Sequence, residues 1–312
     1  MWLQRLTDYL LKNRWQTVGL VFLITFLPVV GIAGILVAAF ITLRKGVVEG
    51  VIVTLAATLP YVASFFFSGQ HQDASIPLVL WAAVGVAVLS NAMTLVFAVM
   101  LRREVSWSSI LQIAALAGVL VVSVIHLVFP DVANWWGMQL QQYYLQTTHA
   151  INDVLKTAAT APSDSQLETI NVTKQFATGV MTAGILMNAI LQLMVARWWQ
   201  SKLYSPGMLS KELHNIRLSR LAGFLFVVSL VLSYLGNSVV LDIMPVLYLL
   251  FCAAGLSLIH YLFGMMASTT RWFWLSMLYV ILIFSLPVSL VMVSMLALID
   301  IGFDVRKRFK KI

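Results

Sequence analysis

Apolar runs of 20 to 28 residues recur from one end of this 312-residue chain to the other, and they dictate its solvent. Hydrophobic residues make up 61% of the sequence and charged ones 10%, more apolar surface than a soluble domain of this length could cover. The runs are continuous rather than alternating. They predict an all-α, polytopic membrane bundle whose helices satisfy their own backbone inside lipid. Ten segments can be drawn, at about 10–29, 31–43, 46–67, 77–101, 106–129, 173–198, 217–236, 241–268, 272–286 and 288–303. A helix needs ~20 residues to cross the hydrocarbon layer, so the short ones read as broken helices and the total as about 8–10 transmembrane segments.

Charge then orients the bundle. Cutting the chain at these segments puts eighteen Lys and Arg with six acids on one face, net +12, and Lys156 and Lys174 with six acids on the other, net −4. Basic residues mark the cytoplasmic side, so both termini are expected there. This holds only if the chain reverses at Pro28 to Gly31 and again at Pro287. The Trp residues agree: Trp15, Trp107, Trp198, Trp199, Trp272 and Trp274 fall at inner ends, and Trp81, Trp135 and Trp136 at outer ends. The basic balance therefore reports membrane topology, with membrane lipids as partners and no call for nucleic acid. Met1 to Arg14 has no small-residue cleavage site. Trp2, Leu3, Leu6, Tyr9 and Leu10 share a face, which predicts an amphipathic helix along the inner surface.

The organisation reads as a six-segment module over residues 1–200, followed by an inner loop, the remaining membrane helices and a basic tail over 201–312. Residues 130–172 form an outward helical excursion, a hairpin or lid, with Leu140, Tyr144, Ile151 and Leu155 in a stripe. Ser165 and Glu168 have capping-box spacing, which predicts one long helix from about Gln166 to Trp199. Small-residue spacings such as Gly46-x-x-x-Gly50 and Gly34-x-x-x-Ala38 predict close helix packing.

The motifs exclude more than they assign. There is no Walker loop, no metal-spaced Cys or His cluster and no requirement for a cofactor, and Cys252 reads as a small core residue. Ser257 and His260 lie three apart on one helix face, but Leu258 stands where an intramembrane serine protease has Gly, so no enzyme is expected. Asn91 with Ser90 and Thr94, Asn188 with Gln192, and His126 with Ser123 are the polar groups inside apolar segments. Amides in lipid are costly unless paired, so these faces point inward, either as helix–helix glue or as the lining of a pocket. Glu49 is the nearest acid to a coupling residue, and its neighbours Arg44 and Lys45 suggest an interfacial ion pair instead.

The ending Leu298-Ile299-Asp300-Ile301-Gly302-Phe303-Asp304-Val305-Arg306-Lys307-Arg308 resembles that of the YybS-like family of multipass bacterial membrane proteins, and Glu212-Leu213-His214-Asn215-Ile216-Arg217-Leu218 resembles its inner loop. The short hairpin followed by Leu43-Arg44-Lys45-Gly46 and Gly50 is similar to the substrate-binding S components of energy-coupling-factor transporters, which have six helices and both ends cytoplasmic. The resemblance implies transporter-like binding or passage of a small apolar or amphipathic molecule, energised by a separate membrane or ATP-binding partner. Asn91, His126, Asn188 and Gln192 would contact the substrate, and Asp300 with Arg306 would anchor the inner end. The competing reading is a membrane scaffold binding another protein through its outer hairpin or basic inner loops.

Overall fold

The computed structural model describes residues 2–27, 31–68, 76–155 and 163–309, with the side chains of 64–83 and 149–155 left out. The expectations at Trp81, Ile151, Leu155, Lys156 and Pro28 concern residues outside that description. Helices account for the architecture, and no strand occurs among the described residues. Five helices are long and apolar enough to cross a membrane: Val84–Arg102, Trp107–Val128, Ala177–Tyr204, Ser238–Gly264 and Leu286–Phe303. Val47–Ala63, Arg220–Tyr234 and Ser268–Phe284 are apolar but shorter. These features are consistent with an integral membrane protein.

The chain divides into two compact units, Met1–Leu111 with Ile185–Ile216, and Gln112–Gly184 with Arg217–Ile312. Helices α6 (Trp107–Val128) and α9 (Ala177–Tyr204) each contribute residues to both units.

The first unit starts with α1 (Trp2–Lys12), α2 (Arg14–Thr25), α3 (Ile32–Lys45), α4 (Val47–Ser68) and α5 (Ile76–Arg102). Helix α1 is amphipathic, but Thr7 and Leu10 form its buried edge while Trp2 and Tyr9 are exposed. Trp199 sets that edge, donating Nε1–H to Thr7 Oγ1 at 2.9 Å while stacking on Phe40 at 4.8 Å. Helices α2 and α3 are separate, at about 18 and 21 Å long, each too short to span alone. Gly34 packs against Thr25 and Val21, so the chain reverses between them as a hairpin. Gly46, at φ +124°, then turns α3 into α4, a backbone open essentially to glycine. At Gly50 the two helices touch so closely that a Cβ would overlap the Thr42 hydroxyl. Helix α10 (Met208–His214) completes this unit with the end of α9.

In the second unit, α7 (Val132–Leu155) and α8 (Asp164–Thr173) form the expected helical hairpin. Asn134 and Gly137 of α7 lie beside Lys174, which follows α8, so the two helices run back along each other. The single helix from Gln166 to Trp199 is not observed. Its start lies two residues earlier, where the Gln166 side chain accepts from the Ser163 N–H at 2.8 Å. It is interrupted after Thr173, where the amides of Gln175 and Phe176 bond three residues back and α9 begins afresh at Ala177. Helices α11 (Arg220–Tyr234), α12 (Ser238–Gly264), α13 (Ser268–Phe284) and α14 (Leu286–Phe303) complete the unit with a short α15 (Val305–Phe309). Helices α11 and α12 are antiparallel about Phe226, which stacks on Phe251 at 4.0 Å. The helix breaks at Ser285, with Pro287 in the first turn of α14, where a missing N–H leaves no donor unsatisfied.

Close backbone approach makes the first unit sensitive to a single methyl group. Gly50→Ala is expected to lower stability by about 1–3 kcal/mol through overpacking, whereas Gly19→Ala, which meets nothing within 4 Å, is expected to be neutral or stabilising. Thermal unfolding of the two variants in one detergent, followed by Trp fluorescence, makes the comparison.

Candidate functional site

Water is absent from the middle of an apolar bundle, so each polar side chain there must find a partner on another helix or on its own backbone. In the first unit this produces one chain of contacts near the midpoints of α5 and α9. Asn188 donates to Ser90 Oγ at 2.8 Å, and Gln192 donates to Asn188 Oδ1 at 3.3 Å. Thr94 donates to Gln192 Oε1 at 2.7 Å, and Asn91 donates to Thr58 Oγ1 on α4 at 3.1 Å. Ser90, Asn91, Thr94 and Gln192 are buried, and Asn188 is exposed. Two of the four expected polar contacts, Asn188 and Gln192, therefore share one network with Ser90 and Thr94, and Asn91 bonds Thr58 separately. Spacing made this legible, since residues 188 and 192 fall on one helix face.

His126 belongs to a different constellation in the second unit. Its Nε2 lies 2.8 Å from Asp242 Oδ2, and the Gly179 backbone N–H donates to Asp242 Oδ1 at 2.7 Å. The Asp242 carboxyl group thus lies between the His126 ring and the Gly179 amide. The side chains of His126 and Asp242 are 9% and 3% exposed. Nearby, Trp136 donates to Thr178 Oγ1 at 3.0 Å, tying α7 to the same helix start. By charge alone Asp242 counts as one of six outer acids. In fact it is buried in the second turn of α12 and engages the amide freed where the chain breaks at 174–176. The signal in the sequence was an Asp opening an apolar segment, with no means of showing its partner 116 residues away.

Basic residues gather at one end of each unit. In the first, Arg102 donates to the Thr42 and Leu43 carbonyls at 3.3 and 2.9 Å, satisfying the C-terminus of α3. Glu49 pairs with Arg14 at 3.2 Å, in place of the expected Arg44 and Lys45, and Arg44 lies over the Tyr204 ring instead. Arg197 clasps Glu212 with two nitrogens, and Trp107 donates to the same carboxylate at 3.0 Å. This bidentate group joins α6, α9 and α10, and no local spacing pointed to it.

In the second unit, Asp300 pairs with Arg306 at 3.0 Å, and Arg306 also donates to Ser257 Oγ at 3.3 Å. Arg217 reaches the Asp300 carbonyl and pairs with Asp304, which Lys307 also contacts at 3.0 Å. Ser257 and His260 are turned to different partners. The His260 Nδ1–H donates to the Leu256 carbonyl, leaving Nε2 to accept from the Tyr279 hydroxyl. No three His, Cys, Asp or Glu side chains come together as a metal group among the described residues.

The hydrogen bond from Lys307, then the Arg217 guanidinium, hold the Asp304 carboxyl below its ordinary 3.8. A lowered carboxyl stabilises the fold above its ordinary value, and that contribution vanishes as pH falls through the lower, folded one. Thermal midpoints should therefore drop with acidification below about pH 4, and Asp304→Asn should flatten this component. Asn suits the left-handed backbone found there, φ +53°.

Compared with known proteins, the chain matches no family model, no curated protein and no solved structure.

Proposed function

We propose that this chain is a multi-pass protein of the bacterial inner membrane, with both termini cytoplasmic, that binds or passes a small apolar or amphipathic molecule. The observation that carries this reading is Asn188. Its amide has two donor hydrogens and two acceptor lone pairs. One hydrogen goes to Ser90 and one lone pair to Gln192, and the side chain is exposed at the middle of α9. Unused polar capacity facing lipid is unfavourable, so a residue so placed calls for an occupant that can hydrogen-bond. The buried Ser90–Gln192–Thr94 network behind it fixes its orientation, as a binding group requires. Gln192 acts through this network, Asn91 bonds Thr58 on α4, and His126 contributes elsewhere. The YybS-like ending and the S-component-like hairpin favour an energising partner, and the Asp300–Arg306 pair anchors the cytoplasmic end of the last span.

The same exposed amide would also suit a polar residue on a partner helix, which is the scaffold alternative. Native mass spectrometry of gently extracted protein distinguishes the two. The expected result is a small co-extracted molecule whose occupancy falls at least about tenfold in Asn188→Leu. Protein free of such molecules but bound to a second polypeptide would favour the scaffold.

Topology has its own test. In a Cys252→Ala background, Gln4→Cys and Phe309→Cys are both expected to resist a membrane-impermeant thiol reagent in intact cells and to react after lysis. Labelling of Phe309→Cys alone in intact cells would remove the reversal at one proline break.

A further inference from the structure

We infer that the outward stripe of α1, made by Trp2, Arg5, Tyr9 and Lys12, seats the phosphate head groups of anionic phospholipids. Spacings of three, four and three residues put these side chains within about 80° of one another around the helix. Aromatic and cation alternate along one line, and all four are exposed.

The opposite side of α1 is already committed to the protein. Thr7 and Leu10 are buried there, with Leu3 and Leu6 half-buried beside them. Two hydrogen bonds to other helices fix how α1 is turned. Trp199 of α9 donates Nε1–H to Thr7 Oγ1 at 2.9 Å, and Thr17 of α2 donates to the Leu10 carbonyl at 3.0 Å. The sequence groups Trp2 and Tyr9 with the leucines on one apolar face. In the structure the leucines lie toward the protein, and the two rings are left outside beside the cations. Outward Trp and Tyr suit a side that meets the head-group layer, where such rings lie with one end apolar and the other wet.

Helix ends set the depth of the stripe. Arg102, the last residue of α5, donates to the Thr42 and Leu43 carbonyls near the end of α3. Arg44, in the last turn of α3, lies over the ring of Tyr204, the last residue of α9. Helices α3, α5 and α9 thus finish on one side. Trp199, where α1 docks, is about 8 Å short of the end of α9. Spanning helices end where hydrocarbon gives way to head groups, so α1 lies at the depth of phosphates rather than acyl chains.

Charge selects the lipid class. Neither Arg5 nor Lys12 makes an ion pair among the described residues, whereas Arg14 is held by Glu49 at 3.2 Å. Asp8 is the acid on α1, so the helix carries two cations against one carboxylate. Arg5 and Lys12 are about 10 Å apart along the axis, room enough for a phosphate each. A phosphatidylcholine head brings its own cation, which unpaired Arg and Lys repel. An anionic head brings none.

The test uses the full-length protein in phosphatidylcholine vesicles, in a Cys252→Ala background with a bimane fluorophore on Gln4→Cys. Trace nitroxide-labelled phosphatidylglycerol or phosphatidylcholine quenches the fluorophore according to how often each lipid sits beside α1. One net positive charge at the surface corresponds to about a fivefold preference, so the anionic tracer should quench with an apparent association constant larger by about that factor. In Arg5→Gln/Lys12→Gln the two tracers should quench equally, and in Arg5→Lys/Lys12→Arg the preference should remain. Arg308→Gln, which removes a cation of the second unit, should leave it unchanged. Equal quenching in the native helix would overturn the inference. So would a preference that survives Arg5→Gln/Lys12→Gln, or one that falls as far in Arg308→Gln. No small molecule and no contact of Asn188 is involved, so failure here leaves the passage reading to native mass spectrometry.

Discussion

The rest of this structure depends on one constraint: a polar group among apolar helices has no water to turn to, and must be answered by another part of the chain. Each place where the protein is more than a stack of greasy cylinders is an answer to that demand. The C-terminal carbonyls of α3 are met by Arg102, the amide of Gly179 by Asp242, and the amides of α5 and α9 by hydroxyls and by each other. Between helices, these contacts join residues 59 to 98 positions apart, and they determine which helices neighbour which.

The two units meet the constraint in different ways. The first relies on neutral groups at mid-helix and small residues at close approach, with Gly34 and Gly50 bringing α2, α3 and α4 together. A neutral network of this kind is indifferent to pH and suited to holding a shape. The second unit places ionisable groups at helix ends: His126 with Asp242 at one, and Asp300, Arg306, Arg217 and Asp304 at the other.

Much of the fold was legible in the sequence. The ten apolar segments coincide with ten of the described helices because an apolar run in lipid has little choice but to form hydrogen-bonded helix. Pro287 marked the break before α14, since the first turn of a helix can go without an N–H. The Asn188–Gln192 pair was visible from its spacing of four. The single helix from Gln166 onward was misread because local propensity is continuous across 174–176, while the break serves a contact with Asp242 in a distant segment. The same reason hid the Arg197–Glu212–Trp107 group and misassigned Glu49, whose partner Arg14 comes from an earlier helix.

By itself, then, the sequence determined the apolar helices and the positions of the cations between them, both of which follow from composition and spacing within a few turns of helix. Only the tertiary structure decided which polar groups meet. That His126 faces Asp242 rather than Asn91, and that Gly179 lies against α12, depends on how distant helices pack, and side-chain partners across such distances leave no periodicity in the chain.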